Sequence, residues 1–399
     1  MPSDVQDVLV IGAGPGGTAT AGLLAAAGHR VLVLEKDEFP RFRIGESLLP
    51  ACLPVLARLG IEATDETFVY KRGARFVCEA SGREQAFGFL EGMGAASVHA
   101  WHVERSKFDT AMRDRARVLG AEVRHGETVV DAGTESDHAW ARTRNGEYTA
   151  RYLVDASGQS RLLARRADAV RPYDCFGHSS VFTHFAGLDP AATAELGPDF
   201  DIRIMLRPEG WGWIIPLPAA RLSVGIVSKG KVAAEDLDAG LLSGPLARRL
   251  TAGAERLETR IVGNFSYRNA QPGGARFCTV GDAACFLDPV FSSGVTLALR
   301  GAEGIADALA PALADGREDD PDLLAEHHRS MDRAYATFAA LIERFYNTRF
   351  AETMFLEPPA SADLRRGVMS VLAGDVWRTD NPFQNMLLAA RRRERSLRA

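Results

Sequence analysis

The chain has 399 residues, 46% of them apolar and 25% charged, with a formal net charge of −5. That length exceeds what one hydrophobic core usually serves, so two or three lobes are expected, and the charge balance gives no reason to invoke nucleic acid as a partner. No apolar run approaches the ~20 residues that span a bilayer. The N-terminus enters a strand without a signal-peptide pattern, so a cytoplasmic protein with no stable membrane insertion is expected. Cys52, Cys78, Cys175, Cys278 and Cys285 are scattered, without metal-ligand spacing, and read as reduced buried thiols with no metal site.

The first predicted elements are the most informative. Residues 7–36 read DVLVIGAGPGGTATAGLLAAAGHRVLVLEK. A Val/Ile-rich run at 7–11 predicts a strand buried on both faces. Gly12, Gly14 and Gly17 follow as G-x-G-x-x-G. The first glycine makes the tight turn, the second lets backbone approach a pyrophosphate, and the third lets the next helix pack on the sheet. Residues 16–28 predict that helix, and its N-terminal N–H groups would face the phosphates. Residues 31–34 predict a second strand ending in Glu35, a carboxylate suited to a ribose roughly 20 residues after the glycines. Together these predict dinucleotide binding.

The stretch KDEFPRFRIGESLLP then reads as a loop in which Arg41 and Arg43 bring positive charge to the dinucleotide site. A helix is expected over 48–59, kinked at Pro54 or starting later. Residues 76–79 and 85–90 predict a hairpin. Residues 105–118 are amphipathic, with Phe108, Met112, Ala116 and Val118 near one face. Short strands are expected at 123–125, 129–132, 138–142 and 148–154, the last ending in DASGQSR as a turn near the cofactor.

From about 176 to 230 apolar and polar residues alternate, as in SSVFTHF, DIRIML and RLSVGIV. This predicts an antiparallel sheet with one face packed and the other free to line a cavity, and it includes GWGWIIPL at 210–217. FCTVGD at 277–282 predicts another buried strand, followed by a loop and a long helix from about Ser292. Beyond roughly 320 the pattern is helical, and the basic end RRRERSLRA reads as a frayed helix or solvated tail. The expected class is α/β: a Rossmann-like nucleotide domain (1–72, 106–165 and 272–316), an inserted antiparallel-sheet substrate domain (73–105 and 166–271) and a helical C-terminal region (317–399). The glycine strand, the 150s strand and the 277–282 strand should join one sheet.

With these motifs in place, the sequence resembles the FAD-dependent halogenases, a branch of the flavoprotein aromatic-hydroxylase fold. GAGPGG, Glu35, Arg105 in R-x-x-F-D, DASG at 155–158 and GDAA at 281–284 carry the general flavoprotein likeness. Three narrower matches carry the halogenase likeness: Trp211, Trp213 and Pro216 in W-x-W-x-I-P, Lys71 in FVYKRGARF, and FLDPVFSSG at 286–294. Alone, the tryptophan pair reads as core and Lys71 as a surface lysine; the whole set reverses both readings.

The resemblance implies a cofactor set of Gly12, Gly14, Gly17, Glu35, Arg43, Ser47, Arg105, Asp282, Pro289, Gly294 and Val295. It implies Lys71 as the catalytic residue, with Ser292, Ser293, Trp211, Trp213 and Pro216 at the halide site and active-site wall. It further implies reduced FAD as co-substrate with O2 and chloride or bromide, and hypohalous acid passed to the lysine. The product would be a halogenated electron-rich aromatic or activated carbon, made for secondary metabolism. A separate NAD(P)H-dependent flavin reductase is the implied partner, and the substrate would be a small molecule or an acyl group on a carrier protein. Asp288 would lie near the flavin, leaving covalent or non-covalent attachment open. Thr296 stands where the family commonly has His, Gly212 where a larger residue is frequent, and no glutamate partner for Lys71 can be assigned. The rival readings are a monooxygenase or dehydrogenase, or a geranylgeranyl-reductase-like flavoprotein, of the same fold.

Overall fold

The structure, a computed structural model, describes residues 5–94, 98–173, 175–176, 179–263, 265–357 and 361–398. The glycine strand Gln6–Ile11 lies at the centre of a parallel arrangement, between Val31–Leu34 on one side and Glu147–Asp155 on the other. Phe277–Thr279 pairs in parallel with the outer side of Glu147–Asp155. The three cofactor-type loops therefore leave neighbouring strand ends, as expected from their sequences. Val8, Leu9, Val10, Leu153 and Val154 are all buried, which is why these strands read as apolar runs rather than alternations.

Helix Pro15–Ala26 packs against helix Ser293–Asp315, and small residues permit it: a Cβ on Gly16 would already touch Val280 and Ala298 at 3.4 and 3.5 Å. The 48–59 region resolves at its prolines. A 3-10 turn at Pro50–Cys52 precedes helix Leu53–Leu59, and each proline sits in a first turn where no amide partner is lost. Helix Arg105–Val118 buries Phe108, Met112 and Ala116, but Val118 is 73% exposed, because two residues past Ala116 the helical turn carries it off the buried stripe.

A second sheet contains Ser179–Ala186, Arg221–Ser228, Gly210–Leu217 and Ile202–Arg207 as successive antiparallel neighbours. It continues through a parallel pair, Ile202–Arg207 with Gly73–Cys78, into the expected hairpin with Arg83–Gly88. The expectation of one open face is corrected here. Trp211 to Leu217 are buried on both faces, with Ile214 and Ile226 packed under helices on one side and Trp211 and Trp213 in the larger core on the other. A two-stranded ladder, Phe68–Lys71 with Ala100–Val103, was not foreseen; its strands are four residues each and give little periodicity.

Helices Ala325–Phe345, Thr348–Leu356, Ala362–Leu372 and Pro382–Arg398 complete the chain. The solvated-tail reading is corrected at its first residue. Arg391 is only 5% exposed, donating from Nη1 to Ala336 O and pairing through Nη2 with Glu343. The side chains of residues 394–398 lie outside the described set. Among the described residues no helix is long and apolar enough to cross a membrane.

Candidate active site

The glycine turn is shaped by contact with the neighbouring strand end. Gly12 has φ +100°, and a Cβ there would meet Ala156 O at 2.5 Å; one on Gly17 would meet Gly12 O at 2.0 Å. Gly14 differs. Its φ of −72° suits any residue, and the nearest atom to a built Cβ is Arg41 Nη2 at 3.9 Å. This open cradle faces the first turn of helix Pro15–Ala26, which has no side-chain cap and no acid of its own. Free N–H groups, helix dipole and a cation together suit a pyrophosphate, so the residues fit FAD.

The cation at this cradle is Arg41 rather than Arg43. The Arg41 side chain is only 9% exposed, pairs with Asp109 at 2.9 Å, and holds its Nε 3.9 Å from both Glu35 and Asp37 without a hydrogen bond. Arg43 turns outward, donating to Asp37 at 2.5 Å. Glu35 accepts from Ala13 N at 2.6 Å and Asp37 N at 2.9 Å, holding its carboxylate at the strand end. Arg105 makes a bidentate pair with Asp109 and donates to Ile44 O and Gly45 O, so its guanidinium braces the loop that carries Ser47. Burial pushes the Asp282 carboxyl up to about 6, against the pull of Arg105.

Across from that loop is the start of helix Ser293–Asp315. A Cβ on Gly45 would come within 4.0 Å of Val295, so the two segments face each other. Ser292 takes the left-handed conformation (φ 56°) at the helix start without capping it through its side chain. Ser293 and Val295 are buried, whereas a Cβ on Gly294 would meet nothing within 4 Å. Pro289 opens the short 3-10 turn that leads in.

Lys71 ends its strand inside the protein, 1% exposed, which settles against a surface lysine. Nζ donates to Ser47 Oγ at 2.8 Å and Leu48 O at 2.9 Å, and lies 5.2 Å from the Phe89 ring centroid. Burial lowers its pKa to about 7, opposed by Asp201 and by Cys52. Asp201 is itself buried, its pKa raised by desolvation and pulled down by Lys71. His102 shares this interior, its pKa driven well down by burial and by Lys71. No motif pointed to Asp201 or His102; one immediately precedes the strand Ile202–Arg207 and the other lies in Ala100–Val103, and only the fold brings them beside Lys71. Cys52 is fully buried beside Lys71 and Thr296, with its thiol pushed up to about 12 by burial.

Trp211 and Trp213 share one strand face, with ring centroids 5.6 Å apart. Trp211 donates to Asp288 Oδ1 at 3.1 Å, and Trp213 to Ser223 Oγ at 3.0 Å. Phe182 and Phe42 extend the aromatic row toward the Arg41 loop, at 5.9 and 6.0 Å steps. Pro216 lies further along the same strand, opposite Leu222. Gly212 sits on the other face, where a Cβ would press Gly225 O at 3.1 Å and Leu241 at 3.2 Å, so this sheet has little room for a larger residue. Among the described residues no cluster suits a metal ion.

Comparison with known proteins agrees with this geometry. A sequence profile for tryptophan halogenase matches residues 7–97 and 88–372. The chain is 30% identical over 403 residues to the flavin-dependent halogenase armH3 of Armillaria mellea, covering 92% of this chain and 79% of that protein. It is 30% identical over 407 residues to the 1H-pyrrole-2-carbonyl-(peptidyl-carrier protein) chlorinase of Pseudomonas fluorescens, covering 93% and 89%. The crystal structure of a flavoprotein/dehydrogenase from Cytophaga hutchinsonii superposes with a TM-score of 0.86 at 29% identity, covering 96% of each chain.

Proposed function

The chain belongs to the tryptophan halogenase family, and from that premise we propose that Lys71 is the residue that carries the halogen to the substrate. The protein is a flavin-dependent halogenase that uses FAD, and the rival oxidoreductase readings give way to that assignment. Bound FAD, once reduced, supplies the oxygen activation that oxidises halide. The chain's own residues bind, enclose and deliver. Gly12, Gly14, Gly17, Glu35 and Arg41 hold the dinucleotide end, while Asp282, Pro289, Gly294 and Val295 hold the flavin end. Arg105 and Ser47 position the loop between them, and Arg43 is left at the rim. Ser292 and Ser293 face the halide at the helix start.

One observation carries the role of Lys71: a fully enclosed amine fixed by Ser47 and Leu48, on the loop that faces the flavin helix. A neutral amine has two N–H groups, and two oxygens are within hydrogen-bond distance here. Its lone pair is then free to attack the halogen of hypohalous acid, forming N–Cl and releasing water once the amine proton is lost. The aromatic row from Trp211 to Phe42 closes the passage to bulky molecules, so small oxidant rather than substrate reaches the flavin side.

The substrate is an electron-rich aromatic, with a pyrrole-2-carbonyl group on a carrier protein as first choice. The chlorinase so named spans 89% of its length with this chain, which leaves little extra domain for a different mode of presentation. A separate reductase supplies reduced flavin, because the single dinucleotide fingerprint is taken by FAD. In this reading residues 1–72, 106–165 and 272–316 form the FAD domain, 73–105 and 166–271 the substrate domain, and 317–399 a helical C-terminal region. The test supplies wild type and Lys71→Ala with reduced FAD, O2, chloride and pyrrole-2-carbonyl carrier protein. The variant should keep its flavin and oxygen uptake while chlorinated product falls to background; near-wild-type chlorination would remove Lys71 from the mechanism.

A further inference from the structure

The loop that carries Ser47 meets the second sheet at two points, Phe42 and Glu46. The Phe42 ring stacks on Phe182 at 6.0 Å, with 13° between the planes, and the Arg260 guanidinium lies 4.0 Å from its centroid. Phe182 and Arg260 are register partners in strands Ser179–Ala186 and Arg260–Gly263, so one antiparallel pairing fixes this seat for the ring. His184 follows Phe182 by two residues and shares its strand face. Its Nε2 lies 2.9 Å from Glu46 Oε1, an ion pair when the imidazole is protonated, with side chains 11% and 1% exposed. Neither Glu46 Oε2 nor His184 Nε2 has a hydrogen bond. A buried carboxylate is costly unless a cation answers it, which ties Glu46 to the sheet.

Ser47 and Leu48 follow Glu46 directly, and both hold the Lys71 amine, through Ser47 Oγ at 2.8 Å and Leu48 O at 2.9 Å. We propose that His184, acting through Glu46, is a positioning residue for Lys71, with Arg260 supporting it through Phe42. The inference rests on the reading of Lys71 as the halogen carrier. A cavity of about 260 Å³ adjoins both contacts, lined by Phe42, Glu46, Phe182, His184 and Arg260 among others, so the loop has space to shift into once a contact is lost. Displacing a reacting group by about 1 Å can cost on the order of a hundredfold in rate. Without His184 the two oxygens that aim Nζ are less firmly placed, and hypohalous acid escapes before the amine captures it.

The test is a single turnover of the flavin-loaded, chemically reduced enzyme with O2 and chloride, without organic substrate. Taurine in solution traps escaping hypochlorous acid as N-chlorotaurine and water. Lys71→Ala sets the level of full escape. In His184→Ala, trapped oxidant per O2 consumed should rise at least threefold over wild type, with flavin content and oxygen uptake unchanged. His184→Gln, which keeps a donor toward Glu46, should return it close to wild type. If Lys71→Ala leaks and His184→Ala does not, the positioning role is overturned and the lysine reading stands, even where the variant melts at a lower temperature. If His184→Gln leaks as much as His184→Ala, the contact with Glu46 is not what holds the loop, and the proposal fails. If Lys71→Ala leaks no more than wild type, the lysine reading itself fails and takes the positioning role with it. If His184→Ala loses its flavin, Arg260→Ala decides by the same leakage criterion, since that exposed side chain can be removed without opening the core.

Discussion

Trp211 donates its indole N–H to Asp288 Oδ1, and Tyr346 donates its hydroxyl to Oδ2 of the same carboxylate at 2.5 Å. The first tryptophan of the W-x-W-x-I-P signature thus fastens the central sheet to the loop that enters the flavin helix. Val290 N completes the set at 3.1 Å, and Asp288 is 1% exposed. Trp211→Phe removes one charge-assisted bond while leaving the others, a loss of about 1.5–3 kcal/mol. Urea denaturation with flavin bound checks this; a change below about 0.5 kcal/mol would mean the bond does not hold the loop.

The same three bonds bear on flavin attachment. A carboxylate already accepting from three donors is poorly placed to be a nucleophile toward the flavin ring. Acid precipitation of the holoenzyme should release the yellow colour to the supernatant. Colour retained in the pellet would point to a covalent bond.

Gly14→Val separates folding from binding. The built Cβ has open space and the backbone there suits any residue, so the variant should fold with a near-normal melting temperature. A branched side chain would fill the pyrophosphate's approach, and flavin absorbance should fall to background after gel filtration. A variant that keeps stoichiometric flavin would show that the pyrophosphate lies elsewhere.

Lys71 should make chlorination depend on pH. With its pKa lowered to about 7, the neutral amine becomes the main form above that pH. If the lone pair takes the halogen, single-turnover chlorination from pre-loaded reduced enzyme rises through about pH 7 and then levels. A fall over the same range would instead assign the work to the ammonium as a hydrogen-bond donor.

Stability should respond in a related way. The folded pKa of Lys71 lies below its unfolded value of 10.5, so between about 7 and 10.5 the unfolded chain binds the extra proton. Stability contributed by this site therefore rises with pH across that window and is flat below it. Lys71→Met removes the titration, and the difference in unfolding free energy between wild type and variant should shift toward wild type from pH 7 to 10. Parallel pH curves for the two proteins would contradict the buried-amine assignment.

Much of this enzyme was legible in its sequence because the relevant physics is local. The turn at Gly12 and the close packing at Gly17 need glycine within one short segment, and strands buried on both faces show as apolar runs. The halogenase signature was likewise readable as residue types at fixed spacing. What the tertiary structure alone decided concerns side chains whose partners are distant in the chain. Arg41 and Arg43 differ only in which one the loop turns inward, toward Asp109 and Gly14. Lys71 is an ordinary lysine until Ser47, Leu48 and Asp201 close around it. Arg391 read as the start of a solvated basic tail until Ala336 and Glu343 anchored it. Periodicity and turn chemistry act over a few residues, whereas desolvation and the pairing of buried charges depend on which distant segments the fold brings together.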